Sequence, residues 1–245
     1  MKELLLCIDV GNTRIKWGLH DGANWHSTGF VDTLHGAKNL PRWDSFPQRI
    51  IISNVAGPEV ETDILARISE PAAQIHIVRA VAEQCGVRNS YRNPGQLGSD
   101  RWAALIGARA LCPGAKLVVV AGTAMTVDAL TAEGVFLGGV IVPGLMLMQR
   151  ALHAGAAQLG VAPGKIDTFP KETSDAISSG AMHASVGAVI RMQQALHAHI
   201  GTEPACVVSG GGATLLAPHL PFPARIQDNL VLEGLAIIAQ EVFAR

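Results

Sequence analysis

The chain alternates short apolar segments with turns that contain glycine. Residues 4–8 are apolar and lead to Asp9, a Gly-Asn-Thr turn follows, and residues 14–20 form a second segment of strand type. Runs of this length bounded by turn residues are typical of buried β-strands. The dipeptide Asp21-Gly22 then predicts a hairpin, because Asp-Gly suits the positive φ angles of a tight turn. The chain therefore begins as strand, turn, strand and hairpin.

Longer segments with apolar residues every three or four positions predict helices between further strands. The predicted helices cover residues 59–70, 100–111, 145–154, 173–200 and 230–243, and the further strands cover residues 50–55, 75–78, 117–121, 125–130 and 206–209. This mixture of strands and helices places the protein in the α/β class.

The second half of the chain repeats the pattern with which the first half begins. Gly122 stands where Gly11 stands, and Glu133-Gly134 stands where Asp21-Gly22 stands, with one residue inserted. We interpret this as an internal duplication of one supersecondary unit, the alternative being a shared turn chemistry that arose by chance. The predicted organisation is an N-terminal lobe over residues 1–113 and a C-terminal lobe over residues 114–245.

The amino-acid composition argues against several classes of binding partner. The net charge is −1 and no run of Lys or Arg exists, which argues against nucleic acid and against an anionic membrane surface. The apolar runs are much shorter than a membrane span, and the N-terminus lacks the pattern of a signal peptide. The four cysteines are scattered without a Cys-x-x-Cys pair, so we expect free thiols and no zinc site. These features predict a cytoplasmic protein.

The first turn, Asp9-Val10-Gly11-Asn12-Thr13, has the chemistry of a phosphate-binding loop. A tight glycine turn after a strand presents backbone N–H groups and short polar side chains at one point, which suits phosphate oxygens. Asp9 is a candidate Mg²⁺ ligand, because magnesium prefers oxygen ligands and retains several waters. The alternative is a plain hairpin with an aspartate at its corner.

Two further glycine-containing turns extend this interpretation. Gly122-Thr123-Ala124-Met125-Thr126-Val127-Asp128 matches the first turn, and the two together would bind a triphosphate from both sides. Gly210-Gly211-Gly212-Ala213 follows a late strand and suits a flat ring lying against bare backbone, the alternative being a flexible turn. The segment Gly160-Val161-Ala162-Pro163-Gly164-Lys165 has the wrong spacing for a Walker loop, so a P-loop enzyme is disfavoured.

A candidate acceptor site lies between these loops in the sequence, at Tyr91-Arg92-Asn93-Pro94 and Gly98-Ser99-Asp100-Arg101. It places a carboxylate and a guanidinium at the N-terminus of a predicted helix, where the helix dipole favours the ionised carboxylate. An aspartate at this point can accept a proton from a substrate hydroxyl. The alternative is an ordinary helix cap with a solvated arginine.

Taken together, these motifs resemble the type III pantothenate kinases, members of the acetate and sugar kinase, Hsp70 and actin superfamily. The resemblance also rests on Gly138-Gly139-x-Ile141-x-Pro143-Gly144, on Thr173 with Ala176 and Gly180, and on Ser209-Gly210-Gly211-Gly212-Ala213. Each motif alone is weak, but seven of them keep their order over nearly the whole chain.

The resemblance implies an α/β fold of two duplicated ribonuclease-H-like lobes with mixed sheets, as in actin-like ATPases, with an ATP cleft between them. It implies a homodimer, with the dimer helix in the C-terminal lobe. The implied activity is ATP-dependent phosphorylation of pantothenate to 4'-phosphopantothenate, the first step of coenzyme A biosynthesis.

Site residues follow by similarity, with Asp100 as the catalytic base. The implied ATP-binding residues are Asp9, Val10, Gly11, Asn12, Thr13, Arg14, Ile15, Lys16, Thr123, Gly210, Gly211 and Gly212. The implied substrate-binding residues are Tyr91, Gly98, Ser99, Asp100, Arg101 and Thr173, the last reaching the substrate of the second subunit.

The implied ions are Mg²⁺, at Asp9, and a monovalent cation, potassium or ammonium. The family commonly has an aspartate two residues before the glycine of the second phosphate loop, where it helps to hold the monovalent cation. Here that position is Val120. Either Asp128 and backbone carbonyls hold the cation, or dependence on it is reduced, and we expect a weaker potassium requirement.

Two other functions fit parts of the sequence. One is another small-molecule kinase of the same superfamily, which would need a different acceptor pocket. The other is an accessory factor for transcription that acts by binding a protein, since some relatives have been described in that way. A protein that only binds would have no need for Asp100 together with both phosphate loops, so the sequence favours the enzyme.

Overall fold

The computed structural model describes residues 4–43, 47–68, 73–155 and 164–244. Two features considered in the sequence extend beyond these ranges. The helix predicted over residues 59–70 ends inside a gap, and residues 160–163 of the rejected Walker-like segment lie outside the described part. Every predicted site residue lies inside it.

The chain forms two compact units. The first consists of Met1–Pro113 together with Asn229–Arg245, and the second is Gly114–Asp228. The sequence predicted residues 229–245 as part of the second lobe, and the structure places them in the first unit.

The sheet of the first unit has five strands in the order β3-β2-β1-β4-β5. Strand β1 is antiparallel to β2 and parallel to β4, so the sheet is mixed. A short hairpin, β6 with β7, follows it in the chain. The strands are β1 (Leu5–Val10), β2 (Arg14–His20), β3 (Trp25–Asp32), β4 (Arg49–Asn54), β5 (Gln74–Ile77), β6 (Glu83–Gln84) and β7 (Val87–Asn89).

The strands of the second unit are β8 (Lys116–Ala121), β9 (Ala124–Leu130), β10 (Val135–Pro143), β11 (Ala205–Ser209) and β12 (Arg225–Ile226). They lie side by side in the order β10-β9-β8-β11-β12, with β8 antiparallel to β9 and parallel to β11. This is the order and direction of β3-β2-β1-β4-β5 in the first unit. The predicted duplication is therefore present as two ribonuclease-H-like units with mixed sheets.

Six α-helices lie in the described residues: α1 (Pro58–Ile68), α2 (Ser99–Leu111), α3 (Leu145–Gly155), α4 (Thr173–Ile200), α5 (Ala213–Leu216) and α6 (Leu230–Val242). Helix α4 has the bounds predicted from the sequence. It ends at Gly201, whose φ of 76° is left-handed and whose N–H bonds to His197, a common way to stop a helix. Within the described ranges, no helix is both long and apolar enough to cross a membrane.

Helix α6 belongs to the first unit because its apolar surface packs there. Its buried residues include Leu230, Leu232, Leu235 and Ile238. It lies against α2 so closely that a Cβ atom on Gly234 would overlap the backbone of Ala103. Glycine at a helix crossing permits this approach, and burial of the apolar face stabilises it. Such packing joins segments far apart in the sequence, so strand and helix patterns did not predict it.

The two faces of the first sheet are covered by different helices. One face packs its isoleucines and leucines against α1, in a core that includes Ile8, Ile52 and Ile64. The other face contacts α2 and α6. Because side chains alternate along a strand, Asp9 and Ser53 lie on this second face, at the carboxyl ends of β1 and β4. The fold thereby brings the start of α2 to the end of β1.

Candidate active site

The loop after β1 is a tight, exposed turn. The Gly11 N–H donates to the Arg14 carbonyl at 3.0 Å, which closes the turn. The Thr33 hydroxyl donates to the Gly11 carbonyl at 2.8 Å and secures the turn from the neighbouring segment. Asn12, Thr13 and Arg14 are exposed. An exposed polar turn at the end of a buried strand is suited to phosphate oxygens.

The residues that flank this turn offer different groups. Val10 and Ile15 have fully buried side chains in the core, so only their backbone atoms are available to a nucleotide. Lys16 is partly buried and lies opposite Asp9 in the β1–β2 pairing. The predicted ATP-binding segment therefore offers backbone groups, three exposed side chains and one lysine.

Asp9 and Asp100 form a pair of carboxylates in which the charge of Asp100 acts on Asp9. Burial and, to a smaller extent, the negative charge of Asp100 raise the pKa of Asp9 from 3.8 to about 7, while the ammonium group of Lys16 opposes the rise. The ionised Asp9 carboxylate is therefore disfavoured in the folded protein, although the ammonium group of Lys16 offsets part of its charge and the guanidinium of Arg101 acts on Asp100. A divalent cation would offset this charge, and carboxylate oxygens are ligands that Mg²⁺ prefers. The residues present therefore fit magnesium at Asp9.

Asp100 lies in the first turn of α2. Its Oδ1 accepts a hydrogen bond from the Arg101 N–H at 2.7 Å, and the Trp102 N–H donates to the Gly98 carbonyl. Burial raises the pKa of Asp100, while this N–H group and the charge of Arg101 act in the opposite direction. A Cβ atom at Gly98 would lie 2.6 Å from Asp100 Oδ1, so glycine leaves room for the carboxylate.

Tyr91 and Arg101 are brought together beside this helix start. Arg101 is buried, and its Nη1 donates to the Tyr91 hydroxyl oxygen at 3.1 Å. Asn89 shapes the loop, because its Oδ1 accepts from the Tyr91 N–H at 3.0 Å and its Nδ2 donates to the Pro94 carbonyl at 3.2 Å. Asn89 was missed in the sequence. Its signal is an asparagine two residues before Tyr91 at the start of a Pro/Gly loop, where an Asx turn is common.

In the second unit, the turn at Gly122-Thr123 is held by backbone bonds from two sides. The Gly144 N–H donates to the Thr123 carbonyl at 2.8 Å, and the Gly212 N–H donates to the Ala121 carbonyl at 2.9 Å. A Cβ atom on Gly144 would overlap the carbonyl groups of Gly122 and Thr123. This close approach requires glycine, and Thr123 remains exposed.

Val120 is the structural counterpart of Asp9. Asp9 pairs with Lys16 and Ser53, and Val120 pairs in the same positions with Thr126 and Ser209. The predicted correspondence of Val120 with Asp9 is thus confirmed by strand register.

The Thr126 hydroxyl is buried and has no hydrogen-bond partner among the described residues. Asp128 lies two residues further along β9, fully buried on the same side of the strand. Thr126 is the strand partner of Val120, the residue that stands where the first sheet has the Asp9 carboxylate. Its hydroxyl is therefore left without a partner among the described residues at this position.

The remaining predicted residues also lie in the second unit. Gly210 has a φ of 93°, and a Cβ atom there would lie 2.5 Å from the Ala121 carbonyl oxygen. Gly211 is exposed and Gly212 precedes α5, so the glycine loop packs directly on the end of β8. Thr173 is exposed at the first position of α4.

The structure therefore brings the predicted residues together in two groups. In the first unit, the charge of Asp100 at the start of α2 acts on Asp9, and Arg101 joins the start of α2 to Tyr91. In the second unit, the Thr123 turn and the Gly210 loop join through Ala121. All four cysteines are free thiols, as predicted. The described residues contain no group of His, Cys, Asp and Glu arranged to hold a metal ion by themselves.

Comparison with known proteins identifies the family. The family model for type III pantothenate kinase matches residues 5–195. The chain belongs to the type III pantothenate kinase family. A type III pantothenate kinase from Nitrosospira multiformis is 47% identical over 243 residues, covering 98% of this chain and 93% of the relative. One from Dechloromonas aromatica is 44% identical over 241 residues, covering 96% and 99%.

Solved structures show the same fold. A conserved putative Baf family transcriptional activator from Campylobacter jejuni superposes with a TM-score of 0.66 at 20% identity, covering 98% of this chain and 100% of that chain. A putative 2-dehydro-3-deoxygalactonokinase from Sinorhizobium meliloti gives 0.56 at 16% identity, covering 98% and 97%. At these identities the likeness establishes the actin-like ATPase and sugar kinase fold alone.

Proposed function

We propose that this enzyme transfers the γ-phosphoryl group of ATP to the primary hydroxyl of pantothenate, forming 4'-phosphopantothenate and ADP. The observation that carries the proposal is the carboxylate pair, Asp9 at the end of β1 and Asp100 at the start of α2, in a chain of this kinase family. Protein kinases use one aspartate to hold metal ions near the phosphates and another to accept the proton of the acceptor hydroxyl. This pair supplies both.

Asp100 is the proposed catalytic base. In the transfer, the acceptor oxygen bonds to the γ-phosphorus, the bond from that phosphorus to the ADP oxygen breaks, and the hydroxyl proton passes to the Asp100 carboxylate. Burial raises the pKa of Asp100, which makes it a stronger base than an exposed aspartate. Its hydrogen bond from the Arg101 N–H orients the carboxylate for this role.

The phosphates are the proposed ligands of the two glycine turns. Asp9 would hold Mg²⁺, which supplies charge neutralisation for the β- and γ-phosphates. Residues 10–16 would donate backbone N–H groups and the Lys16 ammonium group, and Thr123 would add a hydroxyl. The backbone around Gly210 to Gly212 would accommodate the adenosine, because bare backbone lets a flat ring approach closely.

The acceptor pocket is assigned to Tyr91, Gly98, Ser99, Asp100 and Arg101. The buried Arg101 guanidinium is tied to the Tyr91 hydroxyl, so it is held in place rather than solvated. A held guanidinium is a good partner for the carboxylate of pantothenate.

One assay tests both the proposed activity and the proposed substrate. Purified protein is incubated with Mg-ATP, potassium or ammonium, and pantothenate, while ADP release and 4'-phosphopantothenate are followed. ADP release that depends on pantothenate is expected. Absence of such release under both cations would overturn the proposal, and release with sugars instead would favour another kinase of the superfamily.

The monovalent cation requirement is expected to be weak, because the counterpart of Asp9 in the second unit is Val120. Restoring a carboxylate by Val120→Asp would give the Thr126 hydroxyl an acceptor and provide a cation ligand. We expect potassium to activate Val120→Asp about fivefold more than the unmodified enzyme, when potassium is compared with a bulky organic cation. Val120→Asn is the matched control, since it adds polarity without charge. Equal potassium activation in all three proteins would contradict this prediction.

We also propose a homodimer in which Thr173 of one subunit reaches the substrate of the other. Support comes from exposed apolar side chains in the second unit, among them Ile141 and Met146, and from small residues on the exposed face of α4 at Gly180 and Gly187. Exposed apolar surface of this kind suits a protein interface. A sedimentation mass near twice the 25.7 kDa of one chain is expected. A fully active monomer would exclude the arrangement.

A further inference from the structure

A buried bridge between two serine hydroxyls links β4 to the start of α2. Ser53 Oγ lies 2.9 Å from Ser99 Oγ. Ser53 has no exposed surface, and Ser99 is 5% exposed. Ser53 follows Ile50, Ile51 and Ile52 in a strand that is otherwise apolar at its centre. A buried hydroxyl in such a strand is costly unless it is hydrogen-bonded, and the bridge provides its bond.

A second contact accompanies the bridge. Each serine hydroxyl has one proton to donate, and either of the two can be the donor in the 2.9 Å bridge. Ser99 Oγ also lies 3.4 Å from the Asn54 carbonyl oxygen, within reach as a donor. The chain of bonds thus runs from β4 to α2 and back to β4. It holds the first residue of α2 against two consecutive residues of the strand.

The bridge lies between the two carboxylates of the proposed site. Ser53 is the residue of β4 that pairs with Asp9 of β1. Ser99 directly precedes Asp100, so any movement of the start of α2 also moves the Asp100 carboxylate. Just beyond, the Val55 N–H donates to the Val10 carbonyl at 3.0 Å, which keeps the end of β4 fixed to the end of β1.

We propose that Ser53 is a positioning residue, which sets the distance between Asp100 and Asp9 through its hydrogen bond to Ser99. The inference rests on the proposed function. Ser53 is fully buried, so it offers no surface to a substrate, and its side chain hydrogen-bonds to Ser99 of α2. The acceptor hydroxyl at Asp100 must meet a γ-phosphate located by the Asp9 loop. A misplacement of about 1 Å in such a geometry can cost about 100-fold in rate.

The test compares Ser53→Ala, Ser99→Ala and the double variant with the unmodified enzyme. Ser53→Ala is expected to lower kcat by about tenfold while the KM for ATP stays unchanged. The double variant is expected to be no slower than the slower single variant, because both changes break one bridge. Losses that multiply, or a normal kcat in Ser53→Ala, would overturn the inference.

Ser185→Ala is the control for a merely structural effect. Ser185 is also fully buried, and its hydroxyl donates to the Ala181 carbonyl at 2.9 Å within α4. It therefore matches Ser53 in the loss of one buried hydrogen bond. We expect it to lower the Tm by a similar amount without lowering kcat. An equal loss of kcat in Ser185→Ala would show that destabilisation alone explains Ser53→Ala.

A second measurement separates this inference from the proposed function. The Arg101 N–H bonds to Asp100 and the Trp102 N–H bonds to Gly98, so their hydrogen exchange reports the order of the first turn of α2. Faster exchange at these two amides is expected in Ser53→Ala and not in Ser185→Ala. Unchanged exchange would overturn the positioning role. An unmodified enzyme inactive with pantothenate would instead overturn the function, while the exchange result still decides the role of Ser53.

Discussion

Replacing Asp100 by asparagine is expected to lower kcat by about 100-fold to 10,000-fold, the range in which a positioned general base contributes. Asparagine has nearly the same shape and its Oδ1 can still accept from the Arg101 N–H, so the start of α2 keeps its hydrogen bond. The change removes only the ability to accept the acceptor's proton. The rate of ADP formation at saturating ATP and pantothenate measures the effect.

The Tm of Asp100→Asn shows whether a loss of activity reflects unfolding of this variant. Because burial raises the pKa of Asp100, the ionised carboxylate is disfavoured in the folded protein, and a neutral amide relieves that penalty. The Tm of Asp100→Asn should therefore equal or exceed that of the unmodified enzyme. Asp63→Asn, an exposed change on α1, is the control and should leave kcat unaltered. Near-normal turnover in a folded Asp100→Asn variant would show that another group is the base.

Asp9→Asn is expected to abolish most activity and yet stabilise the protein in the absence of metal. The pKa of Asp9 rises from 3.8 to about 7 on folding, chiefly through burial and then through the charge of Asp100. The unfolded chain loses this proton more readily than the folded protein. The resulting penalty on folding is therefore absent below pH 3.8, develops between pH 3.8 and about 7, and is complete above that range.

At pH 8 this penalty is at most about 4 kcal/mol, and asparagine removes it. We expect the Tm of metal-free Asp9→Asn at pH 8 to exceed that of the unmodified protein by several degrees, with a smaller difference at pH 5. Added Mg²⁺ should raise the Tm of the unmodified protein and not that of the variant, because only a ligand of the folded state stabilises it.

Asp32→Asn is the matched control for Asp9→Asn. Asp32 is exposed on β3, and its replacement should change neither the pH dependence of the Tm nor the response to Mg²⁺. A lower Tm for Asp9→Asn at pH 8, or equal stabilisation of both proteins by Mg²⁺, would exclude the role of Asp9 as a metal ligand in a desolvated site.

Much of the fold could be predicted from local patterns in the sequence. Helix α4 was predicted with the observed bounds, because its apolar and small residues recur with helical spacing up to Gly201. The duplication was predicted from the correspondence of Gly11 with Gly122 and was confirmed by the equal strand orders. Glycine-containing turns can be recognised in a sequence because their conformation depends mainly on the residues within them.

The position of α6 could not be predicted from local patterns. Its helical pattern was predicted, but its place in the first unit depends on Gly234 meeting the backbone of Ala103, more than a hundred residues earlier. A hydrophobic face shows that a helix is buried without showing which surface covers it. The predicted lobe boundary therefore placed residues 229–245 in the second lobe.

The sequence by itself determined the chemistry available to this kinase: the two glycine turns, the carboxylates Asp9 and Asp100, and the replacement of a family aspartate by Val120. Only the tertiary structure decided how these groups act on one another. Parallel pairing of β1 with β4, and contact of α2 with the same sheet face, bring Asp9, Ser53 and Asp100 together. The raised pKa of each carboxylate follows from burial, which depends on the packing of segments far apart in the chain.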